Sequence, residues 1–137
     1  MATKKILVPT DGSSYTKNAV ETAIEIAKVN GASITALYVV DASTVADMYE
    51  SVTEILNEEG REAVADVEAQ CEAAGIPVET QIVGGRPADT IIDMSKNYDL
   101  IVMSTLGKTG MKKYLIGSVA EKVVRMADCK VLTIRAQ

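Results

Sequence analysis

The segment that decides the fold is residues 5–13, which read Lys-Ile-Leu-Val-Pro-Thr-Asp-Gly-Ser. A short apolar run over residues 5–9 stops at a cluster of turn-forming residues, and Ser13 stands where it can cap a following helix. Apolar residues then recur at helical spacing up to the stop signal Asn30-Gly31. The segment therefore predicts a buried strand that feeds a helix.

Outward from this unit, strand and helix patterns alternate to the end of the chain. Strands are predicted over residues 34–40, 78–83, 99–103 and 131–134, and helices over residues 44–74, from residue 87 and from residue 118. Pro87 suits the first turn of its helix. With no internal repeat and no low-complexity linker, this order predicts one α/β domain over residues 1–137, an open five-stranded parallel sheet with helices on both faces.

The helices carry apolar faces that predict how they pack. The long helix places its apolar residues at Val52, Ile55, Leu56, Ala63, Val64, Val67 and Cys71. Gly60 falls on the same side, which predicts either close approach of this helix to the sheet or a mild break in the helix. In the last helix the stripe is formed by Ala120, Val123, Val124 and Ala127, and Ser118 and Glu121 fit the S-x-x-E capping box at its start.

Composition excludes several function classes. The chain has 14 Lys plus Arg, 19 Asp plus Glu, two cysteines and no histidine. The absence of histidine removes Ser-His-Asp and Cys-His catalysis and imidazole metal ligands. The net charge of −5 argues against a general nucleic-acid surface, with Lys108, Lys112 and Lys113 as a local exception. Reduced cysteines and the absence of any membrane span or leader pattern predict a cytoplasmic protein.

Three segments gather where the strands of such a sheet end. They are residues 9–12, residues 39–41 and residues 103–118. The third runs from a strand end to a helix N-terminus, an arrangement that binds anions through backbone N–H groups. It is not a P-loop, because the first glycine of that motif would fall at Val102, inside a strand. An ordinary surface loop remains the alternative interpretation of this segment.

The same residues resemble the universal stress protein family along essentially the whole chain. Residues 5–13 look like the family's first strand, and residues 99–103 look like its fourth. The ATP-binding branch carries the motif G-x2-G-x9-G-[ST]. Gly107, Gly117 and Ser118 match its last three defined positions, while Ser104 replaces its first glycine. The resemblance implies a Rossmann-like sheet with strand order 3-2-1-4-5 and an adenine nucleotide, ATP with Mg or Mn, as ligand.

Carried over by position, the resemblance implies a set of nucleotide-binding residues: Pro9, Thr10, Asp11, Val39, Met103, Ser104, Gly107, Lys108, Gly117, Ser118, Val119 and Ala120. Val39 and Met103 would contact the adenine, and the segment 117–120 would bind phosphate. Asp11 would face the ribose or a nucleotide-bound metal, and no other side chain is implied as a metal ligand. From the residues alone, Asp11 equally fits a carboxylate that favours the start of a helix, and Val39 and Met103 equally fit core packing.

These observations predict a small regulatory ATP-binding protein with little or no catalysis, at most weak ATP hydrolysis. Ser104 and Leu106 motivate the alternative, an interaction module of the same fold that does not bind nucleotide. A phosphoacceptor domain is excluded because the third strand ends at residues 82–85 without an aspartate. The strand Val131 to Ile134 is a candidate free edge, and both this edge and the resemblance imply a homodimer through it. The downstream partner stays open.

Overall fold

A computed structural model describes residues 3–41, 50–106 and 116–135, and for residues 50–53 it describes the backbone alone. The strands are β1 (Lys5–Pro9), β2 (Ser33–Asp41), β3 (Val78–Gly85), β4 (Leu100–Ser104) and β5 (Lys130–Ile134). The α-helices in these ranges are α1 (Lys17–Asn30), α2 (Glu50–Ala73), α3 (Pro87–Ser95) and α4 (Ser118–Met126). A 3₁₀ turn, Ser14–Thr16, precedes α1. Each predicted strand and helix is therefore present in the described residues, and the predicted start of the long helix, residues 44–49, lies outside them.

The sheet has the order β3-β2-β1-β4-β5, and every pairing in it is parallel. Leu7 of β1 lies opposite Thr35 on one side and opposite Ile101 on the other. Both the predicted fold class and the predicted order are confirmed. The order reverses between β1 and β4, and ligands of open α/β sheets bind beyond the carboxyl ends of the strands at such a point.

Two core layers cover the two faces of the sheet. One layer packs α1 and α2 against alternate strand residues such as Ile6, Val8 and Val102. The other packs α3 and α4 against the intervening residues, including Leu7 and Ile101. All five residues of β4 are buried, because helices lie on both of its faces. The period of two along each strand thus divides its residues between the layers.

Gly60 has the packing role that its position predicts. A Cβ atom built on Gly60 would lie 2.7 Å from Cδ1 of Tyr38, a side chain of β2 that is 7% exposed. Real Cβ atoms essentially never come this close to another heavy atom. The absence of a side chain at Gly60 therefore lets α2 lie directly on the tyrosine ring.

Two apolar residues do not lie where the sequence analysis placed them. Ile55 is 59% exposed and Val124 is 48% exposed, so neither belongs to the core stripe of its helix. Successive residues of a helix are rotated by about 100°, which turns Ile55 away from the stripe through Ala63 and Val67. The side chain of Val52 lies outside the described part of the chain.

The predicted capping of two helices is wrong. Ser13 precedes the 3₁₀ turn rather than α1, and its side chain makes no capping hydrogen bond. Gly117, not Ser118, is the N-cap of α4, and Ser118 is the first helical residue. The first intrahelical bond of α4 runs from the Glu121 N–H to the Gly117 carbonyl oxygen over 2.9 Å. Among the described residues, the N-cap position provides no side-chain hydrogen bond to the first amides of α4.

Both cysteines are free thiols, and their surroundings make them unreactive. Cys71 is buried, and burial raises the pKa of its thiol to about 11. Cys129 is half-buried, and desolvation raises the pKa of its thiol as well. The thiolate is the nucleophile, so both groups are poor nucleophiles near neutral pH. In the described part of the chain, no helix has the length and apolar composition needed to cross a membrane.

Candidate functional site

A cleft of about 520 Å³ opens at the carboxyl ends of β1 and β4, where the strand order reverses. The structure brings the predicted site residues together along its walls: Pro9, Thr10, Asp11, Val39, Met103, Ser104, Gly117, Ser118, Val119 and Ala120. Gly107 and Lys108 lie outside the described residues. The rule for open α/β sheets therefore locates this cleft without any reference to the family.

Seven further residues line the cleft: Thr16, Leu37, Asp41, Pro87, Ile91, Thr105 and Leu106. Asp41, Thr105 and Leu106 belong to segments that the sequence analysis placed at this edge without a binding role, and the other four lie outside those segments. The position of Asp41 at the end of β2 was a usable signal, since that strand end meets the ends of β1 and β4 at one edge. Pro87 and Ile91 carried no such signal. They reach the cleft because α3 packs across this part of the sheet.

Part of the cleft is apolar, and the residues that line this part belong to or pack against one of the two core layers. Met103 is 6% exposed and belongs to the buried layer under α3 and α4, while Val39 packs against that layer from its edge. Leu37 and Ile91 line the cleft from the same layer. Val39 and Met103 therefore pack with this core layer and also line the cleft, and their contact with a ligand stays a prediction. A rigid apolar slot of this kind suits a flat aromatic group.

The turn after β1 forms one wall of the cleft, and its polar side chains hold its shape. Thr10 donates its backbone N–H to the Leu37 carbonyl oxygen over 2.8 Å, and its hydroxyl accepts the Gly12 N–H over 3.1 Å. Asp11 accepts the Ser13 N–H through Oδ1 over 2.9 Å. Gly12 has φ = 80°, a conformation that favours glycine. Asp11 thus has the structural role at the start of the helix and also faces the cleft.

The opposite wall is the segment that follows β4. The Ser104 hydroxyl accepts the Leu106 N–H over 3.2 Å, and the Thr105 N–H donates to the Ile134 carbonyl oxygen over 3.0 Å. Leu106 is 5% exposed, so its side chain contributes apolar surface to this wall. Within the described residues, the buried Oγ1 of Thr105 has no hydrogen-bond partner. The two backbone amides after Ser104 are therefore both occupied by protein groups.

The N-terminus of α4 closes one end of the cleft. The Gly117 N–H donates to the Thr105 carbonyl oxygen over 2.6 Å, and a Cβ atom on Gly117 would lie 3.1 Å from that same oxygen. Glycine is favoured at position 117 because the two backbone segments touch there. The next amides, those of Ser118, Val119 and Ala120, precede the first intrahelical bond, and they lie at the positive end of the helix dipole.

An ion pair holds α4 against α3 beside the cleft. Lys122 Nζ lies 2.6 Å from Asp89 Oδ1, and this hydrogen bond lowers the pKa of the aspartate. Both side chains are more than one-third exposed, so solvent screens the pair and its contribution to stability is small. The pair joins the side chains of α3 and α4 beside the cleft.

A second and larger cavity, about 690 Å³, lies on the other side of the turn after β1. Among the described residues, its charged walls are Glu59, Glu62 and Asp66 of α2 together with Asp11 and Lys17, so carboxylates outnumber lysine. The carboxylates make this cavity unfavourable for an anionic ligand. In the part of the chain that the structure describes, no three carboxylates or thiols are grouped closely enough to hold a metal ion. The cleft at α4 is therefore the candidate site.

The comparisons with known proteins agree with this fold. A family model described as the universal stress protein family matches residues 2–135. The chain belongs to the universal stress protein family.

Relatives of this universal stress protein match it along nearly their whole length. It is 42% identical to universal stress protein MJ0531 of Methanocaldococcus jannaschii, over 96% of this chain and 82% of that protein. The solved structure of UspA from Lactobacillus plantarum has a TM-score of 0.84 at 31% identity, covering 98% and 99% of the two chains. A family protein from Arabidopsis thaliana, solved with AMP bound, has a TM-score of 0.75 at 23% identity, covering 98% and 92%.

Proposed function

We propose that this universal stress protein is a small regulatory protein that binds an adenine nucleotide in the cleft between β1, β4 and α4. The proposal rests on the arrangement of apolar and polar groups within the cleft. An apolar slot formed by Val39 and Met103 lies in the same cleft as the first amides of α4, which precede the intrahelical hydrogen bonds. A nucleotide has a matching arrangement, because its flat base is joined through the sugar to an anionic phosphate.

The bound AMP of the Arabidopsis thaliana protein supports the choice of an adenine nucleotide. That protein shares the fold at low identity, so its ligand indicates what the fold accommodates. The choice of residues rests on the chemistry of this cleft. Thr10 and Asp11 offer hydrogen-bond acceptors beside the slot, as a ribose or an amino group requires.

ATP with Mg or Mn, the ligand implied by the sequence resemblance, stays a prediction. Asp11 is the residue that would face a nucleotide-bound cation. Its Oδ1 accepts the Ser13 N–H, and the described chain offers no cluster that would hold a metal without the nucleotide. A divalent ion would therefore arrive with the phosphates and neutralise part of their charge.

Catalysis is not part of the proposal beyond weak ATP hydrolysis. The chain has no histidine to act as a base near neutral pH. Asp11 accepts the Ser13 N–H through Oδ1 in the turn after β1, a structural role that does not require proton transfer. A regulatory role, in which nucleotide occupancy changes the surface, fits these residues better than turnover does.

We also propose a homodimer that forms through β5. This strand is the last of the sheet, and in the described chain it pairs with β4 alone. Leu132, in its centre, is 36% exposed. An apolar edge strand is a template for pairing with a second copy. A cytoplasmic location stays a prediction that rests on the reduced cysteines.

Calorimetric titration of the folded, ligand-free protein with AMP, ATP and GTP, with and without magnesium, tests nucleotide binding. Gly117→Asp is the matched variant, because its carboxylate would stand at the end of the cleft assigned to phosphate. Saturable adenine nucleotide binding that the variant loses is the expected result. If the folded protein binds no nucleotide at millimolar concentration, the proposal is wrong and the interaction module takes its place.

A further inference from the structure

The helix α3 forms one side of the cleft, although the motif G-x2-G-x9-G-[ST] contains no residue of this helix. Pro87, its first residue, and Ile91 both line the cleft. Residues four apart on a helix lie one above the other on the same face. These two side chains therefore form one apolar surface on the cleft side of α3.

A short connection places the first turn of α3 at the carboxyl end of the sheet. β3 ends at Gly85, and Arg86 alone separates it from Pro87. The Thr90 N–H donates to the Arg86 carbonyl oxygen over 2.9 Å, so the helix is hydrogen-bonded from this connection onward. A Cβ atom on Gly85 would lie 2.5 Å from Oγ1 of Thr90, so the strand end and the first turn of the helix are in direct contact.

The order of the strands brings α3 beside the apolar slot. Val83 of β3 lies opposite Val39 of β2, so the helix that follows β3 starts next to the end of β2. Ile91 is 3% exposed and belongs to the same buried layer as Met103. Because Ile91 lines the cleft although it is almost completely buried, packing on its other sides holds this wall in place. Pro87 is half-buried, so more of its surface is open to a ligand.

The chemistry of this wall suits the base of a nucleotide. The side chains of Pro87 and Ile91 have no hydrogen-bonding group, and proline has no backbone N–H to donate. The base presents extended apolar faces, whereas the ribose and the phosphate require hydrogen-bond partners. The cleft thus offers apolar surface to a base from the sheet, at Val39 and Met103, and from α3.

We infer that Pro87 and Ile91 contact the base of the bound nucleotide, an inference that rests on the proposed function. These two residues of α3 are then specificity-determining residues for a ligand that carries a base. Contact with this wall removes apolar surface of the base from water, and each methylene group of the wall adds to the affinity. Core packing without ligand contact is the alternative that the tests separate from this role.

The first test locates the base by NMR, with labelled Ile and Val methyl groups in the protein and unlabelled AMP. Nuclear Overhauser effects should join the H2 or H8 proton of adenine to the Ile91 methyl groups, whose signals are identified by their loss in Ile91→Val. Ile101 is the internal control, because it is 0% exposed in the same buried layer and does not line the cleft. AMP that binds without any effect at Ile91 would overturn the inference while the proposed function stands. Absence of AMP binding would instead refute the proposed function.

The second test measures AMP affinity by calorimetry in two matched pairs of variants. Ile91→Val is paired with Ile101→Val, and Pro87→Ala is paired with Pro77→Ala, since Pro77 is exposed and lies outside the cleft. We expect Ile91→Val to weaken AMP binding about fourfold and Pro87→Ala up to about tenfold, because methylene groups are lost from the wall. The two control variants should bind AMP as wild type does. Equal affinities within each pair of folded variants would overturn the inference, and if Pro87→Ala does not fold, the isoleucine pair decides.

Discussion

The substitution Ser118→Pro tests the contribution of a backbone amide of α4 separately from the other features of the cleft. Ser118 is the first helical residue and is exposed, and proline is well tolerated at that position because its amide has no intrahelical partner. Gly117 has ψ = 159°, the extended conformation that the residue before a proline requires. Ser118→Pro therefore removes one of the three amides that precede the first intrahelical bond and should leave the helix intact.

The size of the effect follows from the bond that is lost. A hydrogen bond to a charged group contributes about 1.5–3 kcal/mol, so losing one at the phosphate weakens AMP binding by about 10- to 100-fold. Adenosine makes no such bond, and its affinity should not change. Stability should stay level or rise by up to about 1 kcal/mol, since proline restricts the unfolded chain.

Calorimetry with AMP and adenosine, together with thermal unfolding, measures both quantities. Ser118→Ala is the matched control, because it removes the hydroxyl and keeps the amide. If Ser118→Pro is folded and binds AMP as the alanine variant does, the amides of α4 do not hold the phosphate and the proposed orientation of the nucleotide is refuted.

Three further predictions concern packing, pH and assembly. Gly60→Ala should lower the free energy of unfolding by about 1–2 kcal/mol in denaturant titrations, because the clash with Tyr38 exceeds the gain in helix propensity; a stabilised variant would contradict this packing. Asp99 accepts hydrogen bonds from the backbone amides of Lys4 and Lys5, and these bonds lower its pKa. The free energy of unfolding of wild type should therefore exceed that of Asp99→Asn above about pH 4, and the difference should disappear as the pH falls through the lowered pKa. A pH-independent difference would contradict this prediction. In sedimentation, Leu132→Lys should convert the dimer to a monomer, because the lysine would stand in the β5 interface. Val29→Lys is the control, since Val29 on α1 is 86% exposed, and it should leave the dimer unchanged. A wild type that is monomeric at all concentrations would contradict the β5 interface.

The sequence determined the element order because each signal is local. The apolar run before residues 10–13, the stop at Asn30-Gly31 and Pro87 at the start of α3 each restrict the backbone within a few residues. The number of elements and their alternation then allow few topologies. The capping predictions for Ser13 and Ser118 were wrong because a cap depends on the direction in which the chain arrives, which a four-residue pattern does not contain.

The sequence also determined most of the site, because strand ends can be read from the chain and parallel strands end at one edge. Val39 and Met103 were found in this way, and the structure adds that the slot and the core are one layer. The motif match pointed to residues 117–120 as the phosphate end. It could not tell that the Gly117 amide is used by the protein itself.

Only the tertiary structure shows which backbone donors are already hydrogen-bonded within the protein. Residues distant in sequence meet across the cleft, so that the Ile134 carbonyl occupies the Thr105 amide and α3 adds Pro87 and Ile91 to the wall. The contact of Gly60 with Tyr38 likewise joins a helix and a strand far apart in the chain. Sequence patterns indicate the conformation of residues that are neighbours along the chain. Whether a donor is already hydrogen-bonded depends on distances that are set when the sheet and its helices pack.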